Sequence, residues 1–143
     1  LFNTYGTRMA ESDGRVISNF ITRALRGDEI TIFGEGMQTR SFCFVRDILD
    51  GILLMMEEEE RFLGPMNLGN PEEISIYQLA EVVKKLTNSE STIIHSTSVE
   101  DDPKRRRPDI TLAIEKYNWK PKVSLEEGLK KVIYYFQSGK GKL

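Results

Sequence analysis

The stretch VISNFITRALRGDEITIF, residues 16–33, decides the fold class of this chain. Its first part places apolar side chains at helical spacing, and Gly27 follows as a helix stop. The apolar positions are Val16, Ile17, Phe20, Ile21, Ala24 and Leu25. Residues 30–33 are β-branched or aromatic and predict a short strand. A helix that leads directly into a strand indicates a mixed α/β domain.

Further elements are predicted on the carboxyl side of this stretch. After a Gly-x-Gly turn at 34–36, residues 41–45 predict a second strand, and Asp47 is placed to cap the next helix. The predicted buried face of that helix comprises Ile48, Leu49, Ile52, Leu53 and Met56. Short strands are predicted at 66–68 and 92–94, and a helix is predicted at 109–117, which Trp119 would anchor to the core.

Two serines mark helix starts. Ser75 precedes Gln78 by three positions and Ser124 precedes Glu127 by three, which is the spacing of a capping box. The strands are too few and too short for a full doubly wound sheet. The sequence holds no glycine-rich phosphate loop of the G-x-G-x-x-G or G-x-x-x-x-G-K type. We therefore predict a small mixed α/β domain over residues 1–138, without its own dinucleotide site, and a mobile tail at 139–143.

Composition narrows the function classes. The chain has 143 residues and a formal net charge of −2, so it is about one domain long and carries no global basic field for nucleic acid. No apolar run approaches the roughly 20 residues that span a bilayer, so we expect no membrane contact from this segment. The single cysteine excludes an internal disulfide and suits a reducing compartment. The first residues read as the interior of a longer chain. We expect a cytoplasmic protein, or a Golgi-lumenal one if the longer chain carries an upstream membrane anchor.

Few residues suggest nucleophilic or metal chemistry. His95 has no obvious partner and is interpreted as a surface or structural residue. Cys43 alternates with two phenylalanines and is interpreted as a small strand residue. No cluster has metal-ligand spacing, so no metal is predicted.

Arginines on loops are the more informative signal. Arg40 follows the Gly-x-Gly turn, and the run KRRR at 104–107 lies between two prolines. Guanidinium groups suit a diphosphate because their planar fork makes paired charge-assisted hydrogen bonds, and Asp109 could accept from a ribose diol. The alternative is a solvated basic patch or a weak nucleic-acid footprint. Flanking acidic residues and the lack of a neighbouring aromatic count against nucleic acid.

Several sequence blocks carry a family resemblance. They are LFNTYGTRM at 1–9, DGRVISNF at 13–20, GEGMQTRSF at 34–42, NLGNP at 67–71 and DDPKRRRPD at 101–109. Together they resemble the extended short-chain dehydrogenases/reductases and, within that group, the UDP-glucuronate decarboxylases (UDP-xylose synthases). The resemblance runs almost end to end and implies the carboxyl-terminal, substrate-binding portion, with NAD bound mainly by an amino-terminal Rossmann domain that this sequence does not contain. Thr7 stands where the family usually has Pro, which should loosen the loop beside the cofactor.

The resemblance also implies site roles. Cofactor contacts would come from Thr4, near the nicotinamide side, and from Arg15. Substrate contacts would come from Asn3 (sugar or diphosphate), from Ile17, Ser18, Asn19, Phe20 and Ile21 (wall), from Ile32, Phe33 and Gly34 (uracil), from Gln38 and Asp109 (ribose), and from Arg40 and Arg106 (diphosphate). On chemical grounds alone, and not through the resemblance, Arg106 is also the one candidate for an auxiliary catalytic role, since a cation near the sugar would favour a developing enolate.

The implied reaction of the full-length enzyme is decarboxylation of UDP-glucuronate to UDP-xylose, by oxidation at C4, loss of carbon dioxide and re-reduction. Its base would be the tyrosine of a Tyr-x-x-x-Lys motif. The five tyrosines of this chain are followed at the fourth position by Met9, Glu81, Pro121, Ser138 and Gly139, so none forms that dyad and the isolated chain should be inactive. The implied partners are a UDP-sugar, the missing Rossmann half and, in the full-length enzyme, a second subunit.

Two other interpretations stay open. One keeps the fold but changes the substrate: a fragment of a UDP-hexose 4-epimerase or of a dTDP-glucose 4,6-dehydratase. The other is a non-catalytic binding module that uses the basic loop.

Overall fold

A computed structural model describes residues 1–57, 62, 64–97, 103 and 105–139, and these form the predicted mixed α/β domain. Its helices are α1 (Val16–Arg26), α2 (Val45–Glu57), α3 (Ile76–Thr87), α4 (Thr111–Tyr117) and α5 (Leu125–Gln137). Its strands are β1 (Thr4–Tyr5), β2 (Ile30–Phe33), β3 (Thr39–Arg40), β4 (Cys43–Phe44), β5 (Ile74–Ser75), β6 (Ile93–Ser96) and β7 (Arg105–Arg106). Of the tail predicted to be mobile at 139–143, residues 140–143 lie outside the described residues, as does Lys104 of the basic run.

The strands form three small sheets rather than one. β1 pairs in parallel with β4, and β2 pairs in parallel with β6. In the third sheet β3 lies in the middle, antiparallel to β5 and parallel to β7. The third sheet brings together residues near positions 40, 74 and 106, which are far apart in sequence.

The opening stretch folds as predicted. α1 ends where Gly27 takes a left-handed conformation, with φ 76°, and its N–H donates to the carbonyl of Ala24. The apolar face of α1 is buried against α3 and α5, and β2 follows after a short turn. The main core lies between these three helices and β2. It is built from Ile17, Phe20, Ile21, Ile30, Ile32, Leu79, Val83, Leu129 and Val132, with further apolar residues around them.

Both serine caps are present. Ser75 Oγ accepts from Gln78 N, and Gln78 Oε1 accepts from Ser75 N, so the capping box of α3 is complete. Ser124 Oγ accepts from Glu127 N at the start of α5. The carboxylate of Glu127 contacts Lys131 one turn later, at 2.7 Å.

Two predictions for α2 are wrong. The helix already begins at Val45, so Asp47 lies inside its first turn, where its buried carboxylate accepts from the N–H of Val123. The predicted buried face is largely exposed: Leu49, Leu53 and Met56 are 49%, 51% and 74% accessible. We call these three residues the apolar stripe. Of the predicted face, Ile48 is buried and Ile52 packs partly against the second core; the helix also buries Gly51, on the side that meets Trp119.

The other differences concern element ends. The predicted strand at 41–45 shrinks to β4, and residues 66–68 are not a strand, although Phe2 N donates to Leu68 O. The helix predicted from 109 starts at Thr111, whose N–H is bound by the carboxylate of Asp109. Trp119 is buried as predicted, in a second core. That core also holds Cys43, Ile48, Leu68, Ile110 and Ala113. Among the described residues, no helix has both the length and the apolar character to cross a membrane.

Candidate functional site

A cavity of about 560 Å³ opens between the amino-terminal segment, α1 and the β2–β3 connection. Its wall is mainly apolar, with polar side chains at a few places, which is the usual make-up of a small-molecule site. The sequence-predicted residues that line it are Asn3, Thr4, Arg15, Ile17, Asn19, Phe20, Ile32, Phe33, Gln38 and Arg40.

Two arginines lie side by side at one edge of this cavity. Arg40 lines it, and the register of β3 and β7 sets Arg40 directly opposite Arg106. Arg106 is exposed, and its guanidinium carbon lies 5.8 Å from the ring centre of Phe2. Two neighbouring cations with planar donor forks form an arrangement that suits an anion with several oxygens.

A chain of hydrogen bonds ties this edge to the amino-terminal segment. Asn3 Nδ2 donates to the carbonyl of Ser41 at 2.9 Å, and Ser41 Oγ donates to the carbonyl of Arg106 at 3.0 Å. Ser41 is itself buried, so the tie is shielded from water. The position of Arg106 is therefore coupled to that of Asn3 across a sequence separation of about a hundred residues.

The turn after β2 forms one lip of the cavity. Gln38 Nε2 donates to the carbonyl of Phe33 at 3.1 Å, which holds the turn closed. Phe33 lines the cavity and is nevertheless 51% exposed. An exposed aromatic ring at a cavity mouth can stack on a planar ligand group such as a base.

Thr4 and Arg15 face the same cavity from β1 and from the residue before α1. Arg15 lies 3.3 Å from Asp13, and its Nη1 donates to the carbonyl of Thr4 at 3.5 Å. The hydroxyl of Thr4 is buried and has no hydrogen-bond partner among the residues that the structure describes. A buried hydroxyl in a cavity wall is a place where a ligand atom can complete the hydrogen bonding.

Five predicted residues do not reach the cavity wall, and the roles of all the predicted site residues stay predictions. Ser18 and Ile21 are fully buried on the core side of α1, and the Ser18 hydroxyl donates to the carbonyl of Arg15. The carbonyl of Gly34 lies 2.8 Å from His95 Nδ1. Arg106 and Asp109 do not line the cavity. Asp109 instead borders a surface hollow together with Arg105 and Arg107.

Other lining residues were not predicted: Tyr5, Met9, Gly14, Val16, Thr31, Phe42, Ile76 and Pro103. Val16 could have been found, because it lies on the same helical face as Phe20. Ile76 could not, because its position depends on where α3 packs.

The potential nucleophiles of the site region are not activated. Burial, aided by the charge of Asp47, raises the pKa of Cys43 to about 12. Burial also raises the pKa of Tyr5 well above its ordinary value. Both groups therefore stay protonated at neutral pH. His95 stacks on Tyr77 on the outer surface, and no group of metal-binding side chains occurs in the part of the chain that the structure describes.

Behind the arginine pair lies a carboxylate network. Glu73 accepts a fork of hydrogen bonds from Arg105, of 2.6–3.0 Å, and one of 2.8 Å from the hydroxyl of Thr39. The hydrogen bonds from Arg105 are the main reason that the pKa of Glu73 falls to about 2. Arg105 is thus neutralised within the chain, which weakens the interpretation of the basic run as a nucleic-acid footprint.

Comparison with known proteins gives a consistent result. A model of the NAD dependent epimerase/dehydratase family matches residues 1–69. UDP-glucuronic acid decarboxylase 1 of Arabidopsis thaliana is 46% identical over 138 residues, which are 96% of this chain and 31% of the relative. The chain therefore spans about a third of the length of that curated relative.

Two solved structures share the fold. The UDP-glucose 4-epimerase of Thermotoga maritima, solved with UDP-glucose, is 35% identical with a TM-score of 0.87, over 96% of this chain and 44% of that one. The UDP-glucuronic acid 4-epimerase of Bacillus cereus, solved with UDP-glucuronic acid and NAD, is 29% identical with a TM-score of 0.88. This match covers 96% of this chain and 43% of that one. Residues 1–69 are therefore similar to the NAD dependent epimerase/dehydratase family, and along nearly all its length the chain is similar to about a third of a UDP-glucuronic acid decarboxylase.

Proposed function

We propose that this chain is the nucleotide-sugar-binding part of a UDP-glucuronate decarboxylase that forms UDP-xylose. The observation that carries the proposal is the cavity with Arg40 in its wall and Arg106 paired beside it. In this assignment the two guanidinium groups bind the diphosphate, and Phe33 at the mouth packs on the uracil. Asn3 and Asn19, which both line the cavity, contact the sugar, and Gln38 binds the ribose.

The assignment includes a cofactor edge. The buried Thr4 hydroxyl without a partner, together with Arg15, fits a polar cofactor that enters from the amino-terminal side. Thr4 would donate to it or accept from it, and Arg15 would neutralise phosphate. When bound, NAD supplies the acceptor for the hydride from C4 of the sugar. This chain contributes binding and orientation, while the base belongs to the amino-terminal part.

The decarboxylase is preferred over an epimerase because of sequence identity over the same 96% of this chain. The identity is 46% to the decarboxylase, but 35% and 29% to the two epimerases. The 4-epimerase is the second candidate, because both solved neighbours are epimerases. We also propose an auxiliary role for Arg106 in the decarboxylase, since a cation near the sugar would stabilise the enolate left by loss of carbon dioxide.

The deciding experiment uses the protein that carries this chain together with its amino-terminal part. We expect it to release carbon dioxide from UDP-glucuronate and to yield UDP-xylose, while the 143-residue chain alone yields neither. Conversion to UDP-galacturonate without carbon dioxide would establish the epimerase instead.

We further propose that the apolar stripe of α2 docks the amino-terminal dinucleotide-binding part. A row of three exposed apolar side chains is typical of an interface. The relatives contain about twice as much further chain as the part matched here. We place the homodimer contacts of the full enzyme on that further chain, and the enzyme itself in the cytoplasm, or in the Golgi lumen if it carries an upstream anchor.

Leu53→Glu is expected to weaken binding of a separately produced amino-terminal part by roughly tenfold or more, because burial of a leucine contributes about 1.5–3 kcal/mol. Titration calorimetry of the two parts measures the loss. Tyr134→Glu is the matched control, since Tyr134 is 74% exposed on α5, away from the stripe. If Leu53→Glu instead dissociates a dimer of the 143-residue chain and leaves the amino-terminal part bound, the stripe is a self-association surface.

A further inference from the structure

Glu73 lies outside the cavity, yet its contacts bear on the arginine pair. The residue precedes β5, and its carboxylate bridges across the third sheet. It binds Thr39 on the central strand and Arg105 on the far strand. One carboxylate therefore links three strands that are only two residues long each.

Through the geometry of the sheet, the contacts of Glu73 affect the positions of the two arginines at the edge of the cavity. Successive side chains of a strand point to opposite faces. Thr39 is opposite Arg105 in the register, and Arg40 is opposite Arg106. Glu73 thus holds the first pair on one face, while the second pair projects from the other face, where Arg40 lines the cavity and Arg106 lies over Phe2.

The contacts of Glu73 counteract the repulsion between Arg40 and Arg106. Arg40 and Arg106 are like charges on adjacent strands, which destabilises a directly opposed pair. Among the described residues, β7 is also tied to the chain by Ser41, whose hydroxyl donates to the carbonyl of Arg106. A charge-assisted fork to Arg105 is the stronger kind of contact.

We propose that Glu73 is a positioning residue, which keeps β7 in register with β3 so that Arg106 stands beside Arg40 for a diphosphate. The proposal rests on the diphosphate role assigned above. Glu73 itself touches no ligand, because it lies on the opposite face of the sheet.

The test is a set of titrations of the 143-residue chain with UDP, with inorganic pyrophosphate and with uridine. Glu73→Gln keeps the size of the side chain but removes its charge. We expect the affinity for UDP and for pyrophosphate to fall roughly tenfold, the equivalent of one charge-assisted hydrogen bond, and the affinity for uridine to stay unchanged. Glu72→Gln, at the exposed neighbouring carboxylate, should leave all three affinities unchanged.

The outcomes separate this inference from the proposed function. Equal UDP and pyrophosphate affinities in wild type and Glu73→Gln overturn the inference and leave the nucleotide-sugar proposal standing. A similar loss for uridine also overturns it, since that result indicates general damage to the fold. If pyrophosphate binding falls in the variant but the uridine moiety adds nothing to wild-type affinity, the inference holds and the nucleotide-sugar proposal fails. No binding of UDP or pyrophosphate by the wild type overturns both.

Discussion

Arg40→Ala is expected to weaken UDP binding by roughly ten- to a hundredfold, because each hydrogen bond to a charged group contributes about 1.5–3 kcal/mol. Of the two paired arginines, Arg40 is the one that lines the cavity, and it lies beside Arg106 on the paired strand. Calorimetric titration of the 143-residue chain measures the loss, with thermal unfolding recorded alongside to confirm that the fold is intact.

Two further variants sharpen this result. Arg40→Lys keeps the charge but loses the planar fork, so it should recover only part of the affinity. Arg46→Ala removes an exposed arginine that pairs with Asp50 at 2.9 Å on α2, and it should bind UDP like the wild type. If Arg40→Ala binds UDP as tightly as Arg46→Ala does, the diphosphate is bound elsewhere.

Trp119→Ala is expected to lower the free energy of unfolding by about 3–5 kcal/mol, the usual cost of truncating a large buried aromatic residue. The indole is 4% exposed and its Nε1 donates to the carbonyl of Asp47 at 3.0 Å. It packs so closely on α2 that a side chain at Gly51 would come within 2.8 Å of Nε1. Urea denaturation followed by far-ultraviolet circular dichroism measures the change, since the variant lacks the only tryptophan of the chain.

Trp119→Phe separates packing from hydrogen bonding. It keeps an aromatic ring but removes the indole N–H that donates to the carbonyl of Asp47, so we expect a loss of about 1–2 kcal/mol. Tyr134→Ala, at an exposed position of α5, should change stability by about 0.5 kcal/mol or less. A loss below about 1 kcal/mol for Trp119→Ala would mean that the second core unfolds independently of the first.

Local rules predicted the parts of the fold that are encoded locally. The helical spacing before Gly27 and the β-branched run after it fix α1 and β2 within a short window. The serine of a capping box fixes the start of α3 in the same way. None of these elements needs a distant partner to be recognised.

The wrong predictions share one physical cause, which is dependence on distant chain. The sequence of α2 has apolar residues on more than one side, and only the packing of Trp119 decides that Ile48 and Gly51 are inside while Leu49 and Leu53 are out. The two-residue strands have no pattern of their own, because they exist only through pairing. The same holds for Asp47, whose carboxylate binds Val123 instead of its own helix end.

The sequence predicted most residues of the candidate site through the family resemblance, and not through local patterns. The family resemblance named most of the side chains that line the cavity, which neither spacing nor composition would have singled out. It did not reveal the role of Glu73, because a carboxylate on the back of a sheet becomes visible only when the register of β3 and β7 is known. The unpartnered hydroxyl of Thr4 is likewise a property of the folded chain alone.

Tyr5 has a consequence for how the cavity is assembled during synthesis. Its hydroxyl donates to the carbonyl of Leu125, a partner 120 positions later in the chain, and its ring is buried in the main core. A ribosome therefore releases Asn3 and Thr4 long before it releases the helix that fixes their strand. Contacts of such long range close slowly and late. The nascent cavity wall stays unfinished until α5 has been translated, and a chain that stops before Leu125 presents the ligand with the right residues in an unfixed arrangement.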